Sequence, residues 1–160
     1  IVGLHALTLA PESRASLVDV DVLATESAEQ TLKANDMDRG TVHLGDGPAA
    51  VGEREFTLIA SNPPFHTGHD VDLDVTATFI DQAYERLETG GRLVLVANRF
   101  LPYDRQMQRR FGNVRTLRGT HQYHVLQAEK RRRRRSRRRG ATPSARPRGP
   151  TIRTVKSTWW

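Results

Sequence analysis

The sequence has no cysteine in its 160 residues, which excludes disulfides, thiolate metal sites and cysteine nucleophiles. It also has no apolar stretch close to the roughly 20 residues that span a bilayer. The chain opens at Ile1 without a basic-then-apolar signal peptide. With 37% hydrophobic residues and ordinary amounts of glycine and proline, the composition predicts one domain with a real core.

Acidic residues are missing from the C-terminal segment. Residues 131–160 hold 12 Lys or Arg and no acid, whereas residues 1–130 hold the other 13 bases and all 18 Asp and Glu. The net charge of +7 therefore divides into −5 for the first part and +12 for the second. We expect a domain over 1–130 and a basic, disordered tail over 131–160. The arginines of the tail could bind phosphate backbones without sequence preference, or the tail could be a solvated or non-native extension.

Helical and strand patterns alternate along the first part of the chain. Predicted helices cover 1–10, 24–35, 72–88 and a short stretch after Pro102, and predicted strands cover 16–22, 41–46, 56–61, 92–97, 113–118 and 122–129. The clearest helix repeats its apolar residues every 3.6 positions, at Val75, Phe79, Ile80, Ala83, Tyr84 and Leu87. We expect Gly90-Gly91 to end this helix. The order predicts an α/β fold with a doubly wound, mostly parallel sheet and an antiparallel C-terminal hairpin at its edge.

Polar residues follow several of the predicted strands. They are Asp19 and Asp21, Asp46, Asn62 and Asn98. Parallel α/β sheets bind ligands at the carboxyl ends of their strands, so we expect the functional site at this edge. Asp19 or Asp21 could accept hydrogen bonds from both hydroxyls of a ribose, or could cap a helix. Asp46 could accept from an adenine amino group, or could serve only its turn.

The sharpest motif is Ser61-Asn62-Pro63-Pro64-Phe65, directly after a buried strand. The prolines hold the backbone rigid, so the Asn62 amide and the Pro63 carbonyl can be aimed at one point. Two fixed acceptors suit an exocyclic amino group, which has two N–H donors, and Phe65 can stack on a planar base. The motif therefore indicates alkylation of an amino group on a base. The alternative is a simple strand-to-turn stop.

Other catalytic patterns are weak. His66 and His69 have a spacing that could ligate a metal, but no third ligand with suitable spacing accompanies them, so we expect no metal. Ser61 does not lie in a G-x-S-x-G pattern, which argues against a hydrolase. The sequence contains neither a Walker motif nor G-x-G-x-x-G.

Three segments together resemble the bacterial ribosomal RNA guanine-N2 methyltransferases, which belong to the class I, S-adenosylmethionine-dependent methyltransferases. The segments are SNPPFHTG, GGRLVLVANRFLPYDRQMQRRFGNV and YHVLQAEK. The resemblance covers about residues 1–130. NPPF alone also occurs in adenine and glutamine methyltransferases, and its combination with ANRFLPY and the following FG is narrower.

The resemblance implies a Rossmann-like sheet, S-adenosylmethionine as cofactor, ribosomal RNA or a ribosomal subunit as partner, and a cytoplasmic location. It implies that Asn62, Pro63, Pro64 and Phe65 form the target-base motif, with Asn62 also near the cofactor. Asp19 matches the residue that holds the cofactor ribose, and Asp46 matches the residue near its adenine. Arg99, Phe100 and Tyr103 follow the next strand and would face the substrate.

The sequence also departs from this family. The family's first strand and glycine-rich cofactor loop precede the helix that here begins IVGL, so we expect the natural N-terminus to lie upstream. The tail after Lys130 matches nothing in the family. Two alternatives follow: methylation of adenine N6 or of a protein glutamine, and a non-catalytic module that binds RNA through its arginine tail.

Overall fold

The computed structural model describes residues 2–63 and 71–132, apart from the side chains of 71–73. In chain order it contains α1 (Val2–Leu9), β1 (Ala15–Asp19), α2 (Val22–Ala34), β2 (Gly40–Leu44), a 3₁₀ turn (Pro48–Val51), β3 (Phe56–Ser61), α3 (Val71–Arg86), β4 (Leu87–Asn98), α4 (Tyr103–Phe111), β5 (Arg115–Gly119) and β6 (Tyr123–Glu129). The predicted order of helices and strands is confirmed, and the 3₁₀ turn is an addition. The tail predicted to be disordered lies, beyond residue 132, outside the described residues.

Two sets of strands form the sheet layer. β1 and β2 pair in parallel, with Asp19 opposite Leu44. The other four strands follow the order β3-β4-β6-β5. β3 is parallel to β4, whereas β6 runs antiparallel to both β4 and β5, so the expected C-terminal hairpin at the sheet edge is confirmed. Within residues 2–63 and 71–132, no hydrogen-bonded strand pairing joins the two sets. The expected doubly wound sheet is therefore divided into two parts.

The first strand is shorter than the predicted 16–22 because its two aspartates turn the chain. Asp19 Oδ1 accepts a hydrogen bond from the Asp21 N–H at 3.0 Å, which bends the backbone after the strand. Asp21 then caps α2, since its Oδ1 accepts from the Leu23 N–H at 2.8 Å. The helix therefore begins at Val22, two residues before its predicted start.

The expectation that Gly90-Gly91 ends the third helix is wrong. α3 ends at Arg86, and β4 begins at the next residue, so both glycines lie inside the strand. Gly90 has φ +90°, and the register between β3 and β4 shifts in this region. The Gly90 N–H donates to the Lys130 carbonyl at 2.8 Å, which attaches the irregular segment to the end of β6. Glycine suits this segment for two reasons. Gly90 adopts a positive φ, and Gly91 has no Cβ to obstruct the close approach of neighbouring backbone atoms.

Two hydrophobic clusters hold the layers together. Ala15 and Leu17 pack with residues of α1 and α2, whereas Val18 belongs to the larger cluster with α3, α4 and the four-stranded sheet. Every residue of β1 is buried as a result, although the strand has one paired neighbour among the described strands. The helices thus cover opposite sides of the sheet layer, as a doubly wound fold requires.

No helix in the described ranges, 2–63 and 71–132, is long and apolar enough to cross a membrane.

Candidate active site

A buried carboxylate stands at the end of β1. Asp19 is 5% exposed, and its Oδ2 has no hydrogen-bond partner among the residues that the structure describes. The neighbouring Asp21 is already used as the cap of α2. The structure therefore gives different contacts to two aspartates that residue type and position alone left equivalent. Burying a charged oxygen without a partner costs free energy, so Asp19 is suited to accept a hydrogen bond from a ligand hydroxyl.

The loop after β2 brings Asp46 beside α3. The Gly45 N–H donates to the Asp19 carbonyl at 2.8 Å, which holds the start of this loop against β1. Asp46 is exposed and borders a cavity of about 360 Å³. The rest of its lining comes from α3: Asp74, Val75, Thr78, Phe79 and Gln82. Val75 is 46% exposed, so this apolar residue of the helical repeat borders the cavity and is not part of the buried core.

Gln82 makes a contact that the sequence did not predict. Its Oε1 accepts a hydrogen bond from the Ala49 N–H at 3.3 Å, which ties the 3₁₀ turn to α3. Gly47 lies under the same oxygen, with φ +65°, and a Cβ there would stand 2.7 Å from it. Gln82 thus positions the loop that carries Asp46. A glutamine on a helix surface has no sequence signature for such a contact, because the partner is 33 residues away.

The predicted target-base motif begins at the end of β3. Asn62 is exposed directly after this strand, and Pro63 is buried. Ser61 is 5% exposed and pairs with Leu95 of β4, so the backbone before Asn62 is fixed by the sheet. Pro64 and Phe65 of the predicted motif lie outside the described residues, as do His66 and His69.

The segment after β4 was expected to face the substrate. Phe100 is 72% exposed, and the Arg99 guanidinium donates to the Thr120 carbonyl at 3.0 Å in the hairpin turn. Tyr103 is 1% exposed and belongs to the hydrophobic core, so its expected position toward the substrate is wrong. It is the first residue of α4, whose Tyr103, Met107 and Phe111 turn inward at helical spacing.

No group of three or more His, Cys, Asp or Glu that could hold a metal ion occurs among residues 2–63 and 71–132. One histidine in this part of the chain has a shifted pKa. Burial lowers the pKa of His43 on β2 below 6.5, and the nearby Arg54 lowers it further.

These strand ends define the class of protein. Asp19 and Asp46 follow paired parallel strands, and the 3₁₀ turn after Asp46 contacts both β1 and α3. Asn62 follows β3, which is the strand that precedes α3 in the chain. A mostly parallel sheet with polar groups at its carboxyl ends is the arrangement of a Rossmann-like α/β domain that binds a nucleotide-type ligand.

Comparison with known families defines the chain further. A family model described as "methyltransferase small domain" matches residues 1–127. The chain belongs to this family. It is 45% identical over 107 residues to ribosomal RNA small subunit methyltransferase C of Pseudomonas aeruginosa, covering 67% of this chain and 32% of that protein. The protein of the same name from Shewanella amazonensis is 34% identical over 131 residues, covering 82% of this chain and 38% of the relative.

Solved structures agree with this family. The T. thermophilus 16S rRNA N2 G1207 methyltransferase, solved in complex with AdoMet and guanosine, is 37% identical, with a TM-score of 0.67. The match covers 74% of this chain and 32% of that one. A methyltransferase from Pyrococcus furiosus shares the fold at 17% identity and a TM-score of 0.68, covering 81% of this chain and 68% of that one. The predicted resemblance and the α/β fold class are therefore confirmed, and the chain spans about a third of the length of the curated relatives.

Proposed function

We propose that this chain is the cofactor-binding and base-binding part of an S-adenosylmethionine-dependent methyltransferase. Its substrate is the exocyclic N2 amino group of a guanine in ribosomal RNA, met as free RNA or in a ribosomal subunit in the cytoplasm. The observation that carries the proposal is Asn62-Pro63 at the carboxyl end of β3, in a chain 37% identical to a guanine-N2 methyltransferase solved with AdoMet and guanosine.

The residues present fit a nucleoside cofactor. The partnerless Oδ2 of Asp19 suits a ribose hydroxyl, since a buried carboxylate oxygen gains most from a charge-assisted hydrogen bond. Asp46 and Phe79 line the neighbouring cavity and would flank an adenine. S-adenosylmethionine supplies, when bound, an electrophilic methyl group.

Two acceptors would hold the target base. The Asn62 side-chain oxygen and the Pro63 carbonyl accept the two N–H groups of the guanine N2 atom and so favour its lone pair as nucleophile. Phe65 stacks on the base, as the sequence predicts. With the cofactor bound, these residues would orient N2 for direct transfer: the bond between N2 and the methyl carbon would form as the bond between that carbon and the cofactor sulfur breaks, and the displaced N2 proton would pass to solvent. Orientation supplies most of the rate, because the two reacting groups are held in line.

Cofactor binding is tested by a matched pair of aspartate variants. Asp19→Asn should weaken S-adenosylmethionine binding about 10- to 100-fold, because a hydrogen bond to a charged group is lost. Asp21→Asn should leave affinity unchanged, since asparagine also caps helices well. Isothermal titration calorimetry of the full chain measures both. Equal effects of the two substitutions would contradict the assignment of Asp19.

Base recognition is tested at Asn62. Asn62→Ala should lower methyl transfer about 100-fold while sparing cofactor affinity, because only the amino-group acceptor is removed. Gln30→Ala, which removes an exposed amide on α2, is the control and should retain transfer. Nucleoside analysis of methylated RNA identifies the product as N2-methylguanosine. N6-methyladenosine or a methylated glutamine would identify another substrate, and absence of cofactor binding would favour a non-catalytic RNA-binding module.

A further inference from the structure

Positive charge is concentrated after β4. Residues 99–132 hold nine Lys or Arg and two acids, whereas residues 2–98 hold six bases and 16 acids. The charge boundary thus falls inside the folded domain, well before the arginine run. A domain with one basic end and one acidic end has a preferred face for a polyanion.

A groove lies in this basic part, between α4 and the β5–β6 hairpin. Its volume is about 490 Å³. α4 contributes Asp104, Arg105, Gln108 and Arg109, and the hairpin side contributes Val114, Thr116, His124 and Leu126. The groove begins near the site edge of the sheet, because His124 lies opposite Ala97, close to the carboxyl end of β4.

The arginines of α4 differ in what they contact. Arg110 pairs with Asp81 and Glu85 of α3 and lies 4.0 Å from the centroid of the Tyr84 ring, so it serves the packing of the two helices. Arg105 and Arg109 are exposed and form no ion pair within the part of the chain that the structure describes. Their spacing of four residues places both guanidinium groups on one side of the helix, at the groove.

The opposite wall supplies a further polar atom. His124 lines the groove and is half-buried, and its Nε2 atom is buried without a hydrogen-bond partner among residues 2–63 and 71–132. Thr116 adds a hydroxyl on the neighbouring strand. Guanidinium groups facing a hydroxyl and an imidazole suit phosphate oxygens and ribose hydroxyls, which are the groups that an RNA backbone presents.

We infer that this groove binds the sugar–phosphate backbone of the substrate RNA, next to the nucleotide that is methylated. The inference rests on the proposed function, which makes RNA the polyanion. Arg105 and Arg109 neutralise phosphates, and the exposed Thr116 contacts the backbone from the hairpin. Contacts of this kind position the RNA without reading its sequence.

The test compares two charge-matched double variants of the full chain. Arg105→Gln with Arg109→Gln should weaken binding of a fluorescein-labelled RNA hairpin about tenfold in fluorescence anisotropy. It should also reduce the slope of log K against log salt by about 1.4 to 1.8, because two phosphate contacts are lost. Arg14→Gln with Lys33→Gln removes two exposed cations from the acidic part of the chain and should change affinity less than about twofold.

Each contrary outcome is distinct. Equal losses in the two variants, or an unchanged slope in the groove variant, would overturn the inference. An equal loss of poly-glutamate binding would assign the groove to an acidic protein instead of RNA. S-adenosylmethionine affinity, measured on the same samples, should be unchanged in the groove variant. RNA bound through the groove without any methylated product from the wild-type chain would count against the proposed function alone.

Discussion

At the scale of single residues, side chains of one type are divided between structure and function. Asp21 caps a helix, whereas Asp19 keeps a buried oxygen without a partner among the described residues. Arg110 is engaged by two acids and an aromatic ring, whereas Arg105 faces a groove. Residue type and spacing predict both members of each pair equally. Only the contacts made by the folded chain separate them, because those contacts come from distant segments.

Arg39 is expected to stabilise the N-terminal helix from a distance. Its guanidinium donates to the carbonyls of Leu7, Ala10 and Ser13 at 3.0–3.3 Å, around the end of α1. Arg39→Ala should lower the free energy of unfolding by about 1.5–3 kcal/mol, because these carbonyls lose a charged donor. Urea unfolding followed by circular dichroism measures the change. Arg14→Ala, an exposed arginine, should cost under about 0.5 kcal/mol, and a similar cost at both positions would refute this explanation.

His43 should make stability depend on pH. Burial and Arg54 lower its pKa in the folded state below the value of 6.5, so the unfolded chain binds the proton more readily. The contribution of His43 is therefore fully present above pH 6.5 and decreases as the pH falls below that value. Thermal unfolding of the wild-type chain and of His43→Asn across pH 5–8 tests this. The variant should lose less stability than the wild type on acidification, and parallel curves would contradict the prediction.

At the scale of elements, local pattern predicts type better than boundaries. The strand over 56–61 coincides with β3, whereas Gly90-Gly91 lies within β4 and not at a helix end. Glycines end helices and also permit irregular strands, and the choice depends on the neighbouring strands. The start of β5 is a second boundary that the local pattern did not predict. The Asn113 side chain exchanges hydrogen bonds of 2.9 Å with the Glu129 backbone, so an amide replaces the strand pairing expected at 113.

The irregular part of β4 should tolerate no side chain at Gly91. A Cβ there would stand 2.8 Å from the Phe56 carbonyl oxygen and 2.9 Å from the Glu88 carbonyl oxygen, so backbone atoms would have to move. Gly91→Ala should lower the free energy of unfolding by about 1–3 kcal/mol. Chemical denaturation of the full chain measures this cost.

Gly119 at the end of β5 provides the control for this prediction. The nearest atom to a Cβ there is the Tyr123 carbonyl oxygen at 3.9 Å, an ordinary contact. Gly119→Ala should therefore change stability by under about 0.5 kcal/mol. A neutral Gly91→Ala would show that β3 and β4 can separate locally without cost.

At the scale of the whole molecule, the α/β class followed from the alternation of apolar strands and amphipathic helices. The edge that carries Asp19, Asp46 and Asn62 followed from their positions after strands. The individual strand patterns did not predict the division of the sheet, since the division depends on which strands pair. The cavity beside Asp46 could not be predicted either. Most of its lining residues belong to α3, at least 28 residues after Asp46 in the chain.

The direction of β6 sets the distance between the site edge of the sheet and the start of the arginine run. Tyr123 lies opposite Asn98 at the site edge, and Glu129 lies opposite Arg92 at the other end of β4. Six residues of extended strand span about 20 Å, so Arg131, the first residue of the arginine run, lies about that far from the site edge. An RNA bound both at the site edge and at Arg131 or Arg132 would have to bridge this span, and a shorter oligonucleotide would reach only one of the two places. Affinity should then increase with RNA length in a step, since the second contact becomes intramolecular once the span is reached.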